Sequence, residues 1–155
     1  MEPPLLTTSF YVSLLIFVIS LMACAIFSFI ETSVTALRLF RLKELAEKTT
    51  RYKTLFKALE TKPQTVLITI LIANCLANVT TSAISTQIME RLFSTFQLSS
   101  GLGFSVGIAL ATIAILVFGE IIPKNLARSR GESLFKSTLW ITNIAYFVFR
   151  FFVPI

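Results

Sequence analysis

The chain has 155 residues, of which 55% are hydrophobic, and a mean hydropathy of +0.81, which excludes a soluble globular domain and implies an integral membrane protein. It holds no histidine, no aspartate and 2 cysteines, which excludes a zinc or copper centre of ordinary design and leaves oxygen ligands for a hard cation. The net charge of +6, from 14 basic and 8 acidic residues, lies in loops beside apolar runs, where it sets topology rather than nucleic-acid binding.

One transmembrane domain over residues 1–155 is the expected organisation. Met1-Glu2-Pro3-Pro4 lacks the basic start of a secretory signal, and no cleavage site follows the apolar stretch, so the first helix is expected to be retained. From Phe10 to Leu37 only Glu31 is charged; at ~1.5 Å per residue this predicted span, 10–37, reaches about 40 Å, more than a bilayer core needs. Ser13, Ser20, Cys24, Ser28, Glu31 and Thr35 recur at intervals of three, four and seven, which turns one face, Glu31 included, away from lipid. Cys24 and Cys75 both lie within apolar runs, which predicts small buried side chains rather than a disulfide.

Residues 38–62 hold eight of the 14 basic residues against Glu44, Glu47 and Glu60. Leu39, Leu42 and Leu45, then Leu55, Phe56 and Leu59, fall at helical spacing, so two short amphipathic helices within 38–61 are predicted on the membrane surface, with Thr49-Thr50 as the turn. Attraction of a solvated basic face to anionic lipid accounts for the charge. A second span, 64–89, is uncharged and opens after Pro63, which suits the first turn of a helix. It carries Asn74, Asn78, Thr81, Ser82 and Ser85, and the two asparagines, four apart, share a face. Amides in lipid need partners, a need met by an interhelical hydrogen bond or by a bound ligand. Asn78-Val79-Thr80 matches a glycosylation sequon, a false positive at membrane depth.

The third span, 102–123, opens with Gly103, Gly107 and Ala111, a small-residue ridge that suits either intrachain helix packing or a dimer face. It closes on Gly119-Glu120-Ile121-Ile122-Pro123-Lys124. A carboxylate inside a hydrocarbon-length run marks a functional site. Pro123 cannot donate to the Gly119 carbonyl four residues back, so the helix is expected to break there and leave that oxygen free beside Glu120, while Gly119 admits close approach. This combination reads as an oxygen-lined cation site. Past Arg128, Arg130 and Glu132, a Phe-rich stretch interrupted by Thr142, Asn143 and Arg150 suits a fourth span and an interfacial helix equally.

The basic loops follow the first and third spans, so both are expected on the cytoplasmic side of the cell membrane, with the N-terminus outside and the C-terminus inside. Counted from Arg38, Lys62 and Lys124 to Arg128 as inner-surface marks, Ser28 lies ten residues up, Asn74 twelve, Asn78 sixteen and Glu120 four to eight. At ~1.5 Å per residue, oxygens from three helices lie about 6 to 24 Å deep, and their convergence on one cation is the predicted site.

Three motifs resemble a known family. Phe27-Ser28-Phe29-Ile30-Glu31-Thr32-Ser33 is similar to the FSxxET signature of the CorC/cyclin M family of magnesium transporters. Leu71-Ile72-Ala73-Asn74-Cys75-Leu76-Ala77-Asn78 resembles its LIGNNLxN motif, departing at Ala73 and Cys75, and Gly119 to Lys124 resembles its GEIxPK motif. The resemblance implies an all-α integral membrane fold with three transmembrane helices per protomer, a belt of juxtamembrane helices at 38–61 and 132–153, a homodimer, and an inward-facing cavity holding one dehydrated Mg2+. It implies the Ser28 hydroxyl, the Asn78 amide, the Gly119 carbonyl and Glu120 as ligands, with Asn74, Glu31, Pro123 and Lys124 close by. Family members continue into a tandem CBS module that binds ATP, a regulatory partner expected in the full-length protein; this chain ends before it.

The implied function is Mg2+ export by alternating access, driven by inward Na+ with Glu31 or Glu120 as its ligand, and no enzymatic activity is expected. Two rivals come from other classes. One is a dimeric membrane anchor or ion sensor whose polar face only packs helices. The other is an intramembrane hydrolase using Ser28 and Lys124 as nucleophile and base, which no histidine or aspartate supports.

Overall fold

The computed structural model describes residues 8–36, 41, 44, 47, 48, 52–149 and 151. All regular elements among them are helical: α1 (Thr8–Ala36), α2 (Lys53–Thr61), α3 (Pro63–Thr95), α4 (Ser100–Ala114), a π-helical segment (Ile115–Ile121) and α5 (Ile122–Phe149). Thr8–Ala36, Pro63–Thr95 and Gly101–Gly131 are long and apolar enough to cross a membrane. The helix at 131–149 is not among these three candidates. Of the two amphipathic helices predicted within 38–61, the first lies largely outside the described residues; of it, positions 41, 44, 47 and 48 are helical.

Local chemistry sets the ends of these helices. At the close of α2, Lys62 leaves helical geometry (φ −141°, ψ 63°) while its N–H still donates to the Ala58 carbonyl at 2.7 Å. Pro63, lacking an N–H, then opens α3 where none is needed. α3 continues past the predicted end at Met89, because Glu90 and Arg91 are charged but break no helix. It closes where Gln97 turns left-handed (φ 55°) and the Leu98 N–H reaches back to the Phe93 carbonyl at 2.9 Å.

The described residues pack as two compact units. In the first, Met1–Ala25 with Leu76–Ile121, the ridge of Gly103, Gly107 and Ala111 is buried while Leu102, Phe104, Ile108 and Leu110 are exposed. The ridge faces α3. A Cβ at Gly107 would fall 2.9 Å from Thr86 Cα, and one at Gly103 would fall 3.0 Å from Phe93 Cβ, so glycine permits this backbone approach. The Ser85 hydroxyl donates across the same contact to the Gly107 carbonyl at 3.1 Å. Cys24, fully buried as the sequence predicts, lies 3.5 Å from Thr81 Oγ1. Because that hydroxyl's one proton goes to the Ala77 carbonyl, the thiol is the donor.

The second unit, Ile26–Cys75 with Ile122–Ile155, has its own apolar core. Leu55, Phe56 and Leu59, the face that helical spacing assigns to α2, are buried against Phe29, Ile30 and Val34 of α1 and Val66 and Ile70 of α3. Ala127, Phe135 and Leu139 of α5 complete it. Burial at Phe135, Leu139, Thr142 and Ala145 follows a three-to-four spacing and leaves Trp140, Ile144 and Phe147 exposed.

The expected break at Pro123 is corrected. The helix passes through Pro123 without interruption, after the π-helical segment at Ile115–Ile121. A π turn pairs each N–H with the carbonyl five residues back and widens the helix, which relieves the clash of the proline ring with the Gly119 carbonyl. The departure from helical geometry falls instead at Arg130 (φ −135°, ψ 23°).

Phe135 fills the centre of the second core, so Phe135→Ala is expected to cost about 3 to 5 kcal/mol. Phe147, 75% exposed, should tolerate Phe147→Ala within about 0.5 kcal/mol. Thermal unfolding of the detergent-purified chain compares the two.

Candidate functional site

Threonine hydroxyls within these helices mostly satisfy themselves: Thr69, Thr80, Thr81, Thr86 and Thr142 each donate to the carbonyl four residues back. Among the described residues, four other buried oxygens do not. Ser28 Oγ, Ser33 Oγ, Asn74 Oδ1 and Asn78 Oδ1 have no hydrogen-bond partner. Each such group costs about 1 to 3 kcal/mol, more than an ordinary hydrogen bond returns. Three of the four, Ser28, Asn74 and Asn78, are residues singled out from the sequence.

On α1, Ser20, Cys24 and Ser28 are buried at intervals of four, the predicted inward face. Ser28 is fully buried, and its carbonyl accepts from Thr32 Oγ1 at 3.0 Å. Glu31 is half-buried one turn on. Thr35 departs from that face: it is exposed, and its hydroxyl donates to the Glu31 and Thr32 carbonyls, which supply its partners locally. On α3, Asn74, Thr81 and Ser85 are buried and Asn78 half-buried, whereas Leu71, Leu76 and Val79 are exposed. Cys75, predicted to be buried, is exposed too, because it falls beside Asn74 and off the buried face of α3, so the departure from the family pattern at that position removes nothing from that face.

Gly119 and Glu120 lie inside the π-helical segment. Gly119 is buried, and a Cβ there would sit 3.2 Å from Cys24 Cβ; the close approach assigned to this glycine is made by α1. Widening at the π turn redirects carbonyls away from regular pairing, and Pro123 supplies no donor for one of them. Glu120 is half-buried and makes no ion pair with a described residue. Pro123 is buried and Lys124 half-buried. Asn78, Gly119 and Glu120 belong to the first unit; Ser28, Glu31, Asn74, Pro123 and Lys124 belong to the second.

Among the described residues no three His, Cys, Asp or Glu side chains cluster as metal ligands. The available donors are therefore hydroxyl, amide and carbonyl oxygens with isolated carboxylates. Such a set suits a hard cation and suits a soft metal poorly. Sequence reasoning missed Ser33, which lies within the first motif but off the polar spacing of α1, and the Cys24–Thr81 contact, which no single-helix pattern reveals.

Residues 15–155 match the family model described as the cyclin M transmembrane N-terminal domain. A curated relative, a UPF0053 protein of Haemophilus influenzae, is 33% identical over 141 residues, covering 91% of this chain. The chain spans 31% of that relative's length.

Ser28→Ala removes an oxygen that has no donor, so the metal-free chain should keep its thermal midpoint or gain up to about 1 kcal/mol. Ser85→Ala, which severs a formed bond, should lose about 0.5 to 1.5 kcal/mol. Equal losses in the two variants would show that Ser28 Oγ is engaged in the packing.

Proposed function

The chain belongs to the cyclin M transmembrane family, and from that premise we propose that it exports Mg2+ across the cell membrane by alternating access. The observation that carries this reading is the set of buried oxygens left without donors at Ser28, Asn74 and Asn78, residues of the motifs that resemble the family's own. The proposed ligands are the Ser28 hydroxyl, the Asn78 amide oxygen, the Gly119 carbonyl and the Glu120 carboxylate, with Asn74 and Glu31 close by.

Mg2+ keeps octahedral oxygen geometry at about 2.0 to 2.1 Å and sheds water reluctantly. Preformed neutral oxygens replace that water at little further cost, since their own desolvation is already met on folding. One carboxylate among neutral ligands leaves the bound ion with net positive charge, which keeps binding weak enough for release. The π-helical segment supplies a place for the moving step, because its pairing can revert to the α pattern with a local change of register. Inward Na+ is the proposed driving ion, with Glu31 or Glu120 as its ligand. The protein is proposed to act as a homodimer, with both basic loops cytoplasmic, and to be regulated through a CBS module in the full-length protein.

The anchor or sensor rival uses the same polar faces only for packing. In Mg2+-loaded proteoliposomes, Asn78→Ala and Glu120→Ala are expected to lower flux at least about tenfold, a loss of roughly 1.4 kcal/mol of stabilisation, while both variants still fold. Flux equal to that of the parent would overturn the transport reading.

A further inference from the structure

The second unit contains a cavity of about 480 Å³ lined by Ser33, Ala36, Ala127 and the run Arg128 to Gly131 with Ser133. Its volume lies within the range of small-molecule sites, about 300 to 1,000 Å³. The ion pathway proposed above uses none of these residues. We propose that this cavity binds a phosphate group.

Three independent features point to an anion. Arg128 and Arg130 are exposed at the cavity and make no ion pair or hydrogen bond with a described residue. Among the described lining side chains none is a carboxylate, and residues 124–136 carry Lys124, Arg128, Arg130 and Lys136 against Glu132. The helical path breaks at Arg130, so the helix over 131–149 begins at the cavity wall, where the dipole favours negative charge. Ser33 supplies the feature that neither charge nor dipole explains. It is fully buried, it lines the cavity, and its hydroxyl has no partner.

Ser33 Oγ lies 3.6 Å from where a Cβ of Gly131 would be, so the hydroxyl and the start of the second helix stand side by side. Guanidinium groups offer planar, paired donors matched to phosphate oxygens, and such charge-assisted bonds are about twice as strong as neutral ones. A hydroxyl proton and a helix start add donors of the same polarity. A cation would meet two guanidinium charges here, and a purely apolar ligand would leave them and Ser33 unpaired. Phosphate reaches such a cavity from a lipid headgroup or from a soluble phosphate.

Two probes, both used without Mg2+, separate those sources and keep the outcome distinct from that of the transport reading. Inorganic phosphate is titrated at constant ionic strength into the detergent-purified chain, with the thermal midpoint as readout. Native mass spectrometry follows retention of phosphatidylglycerol by the chain from phosphatidylcholine vesicles containing it. The parent is expected to bind at least one probe, and Arg128→Gln/Arg130→Gln to bind it about tenfold more weakly or worse. Lys53→Gln/Lys57→Gln, which removes the same charge from α2, is expected to bind as the parent does. Ser33→Ala, which changes no charge, should also weaken binding and serves where the arginine variant does not fold. A phosphate shift without lipid retention assigns a soluble ligand, and retention without a shift assigns a headgroup. Failure of both probes on the parent, or equal binding by the parent, Arg128→Gln/Arg130→Gln and Ser33→Ala, overturns the proposal.

Discussion

Ser28, Ser33, Asn74 and Asn78 each hold an oxygen away from water with no donor in reach, in surroundings where a helix already satisfies its own backbone. Such atoms are liabilities of about 1 to 3 kcal/mol each unless something else supplies their partner. The same helices show the cheaper alternative: Thr69, Thr81 and Thr142 turn their hydroxyls back to the preceding turn. Ser28 and Ser33 have that option and do not take it. The partners proposed for them above are of opposite charge. Ser28 belongs to motifs with amides and carboxylates, which suit a cation, whereas Ser33 shares a cavity with Arg128 and Arg130.

The π-helical segment is held by packing within the first unit. Gly119 packs against Cys24, whose thiol is fixed by Thr81. A side chain at 119 would push the segment off α1. The glycine is therefore a requirement of packing, and changes at Cys24 or Thr81 bear on the π turn without touching an ion.

Much of this was legible in the sequence. Hydropathy gave three helices of membrane length, period-four small residues gave the Gly103–Gly107 ridge, and Leu55, Phe56 and Leu59 gave the buried face of α2. Burial at Ser20, Cys24 and Ser28 followed from spacing on one helix. Spacing failed where the controlling contact comes from another element. Pro123 predicted a break, but a seven-residue π stretch upstream absorbed its missing donor, and the bend moved to Arg130. Ser33 drew no notice because its importance lies in what it lacks, a partner, and a pattern of residue types does not record that. Thr35 fitted the polar spacing and is nonetheless exposed, since the periodic stripe outlasts the stretch of α1 that neighbours cover.

Anomalous scattering from crystals of the chain soaked in Mn2+, a divalent ion with the same preference for oxygen ligands, tests the central proposal most directly. A peak coordinated by Asn78 Oδ1 and the Glu120 carboxylate, displaced by excess Mg2+ and lost in Asn78→Ala, is the predicted result. Ordered water or a protein donor on Ser28 Oγ and Asn78 Oδ1, with Mn2+ absent from both, would contradict it.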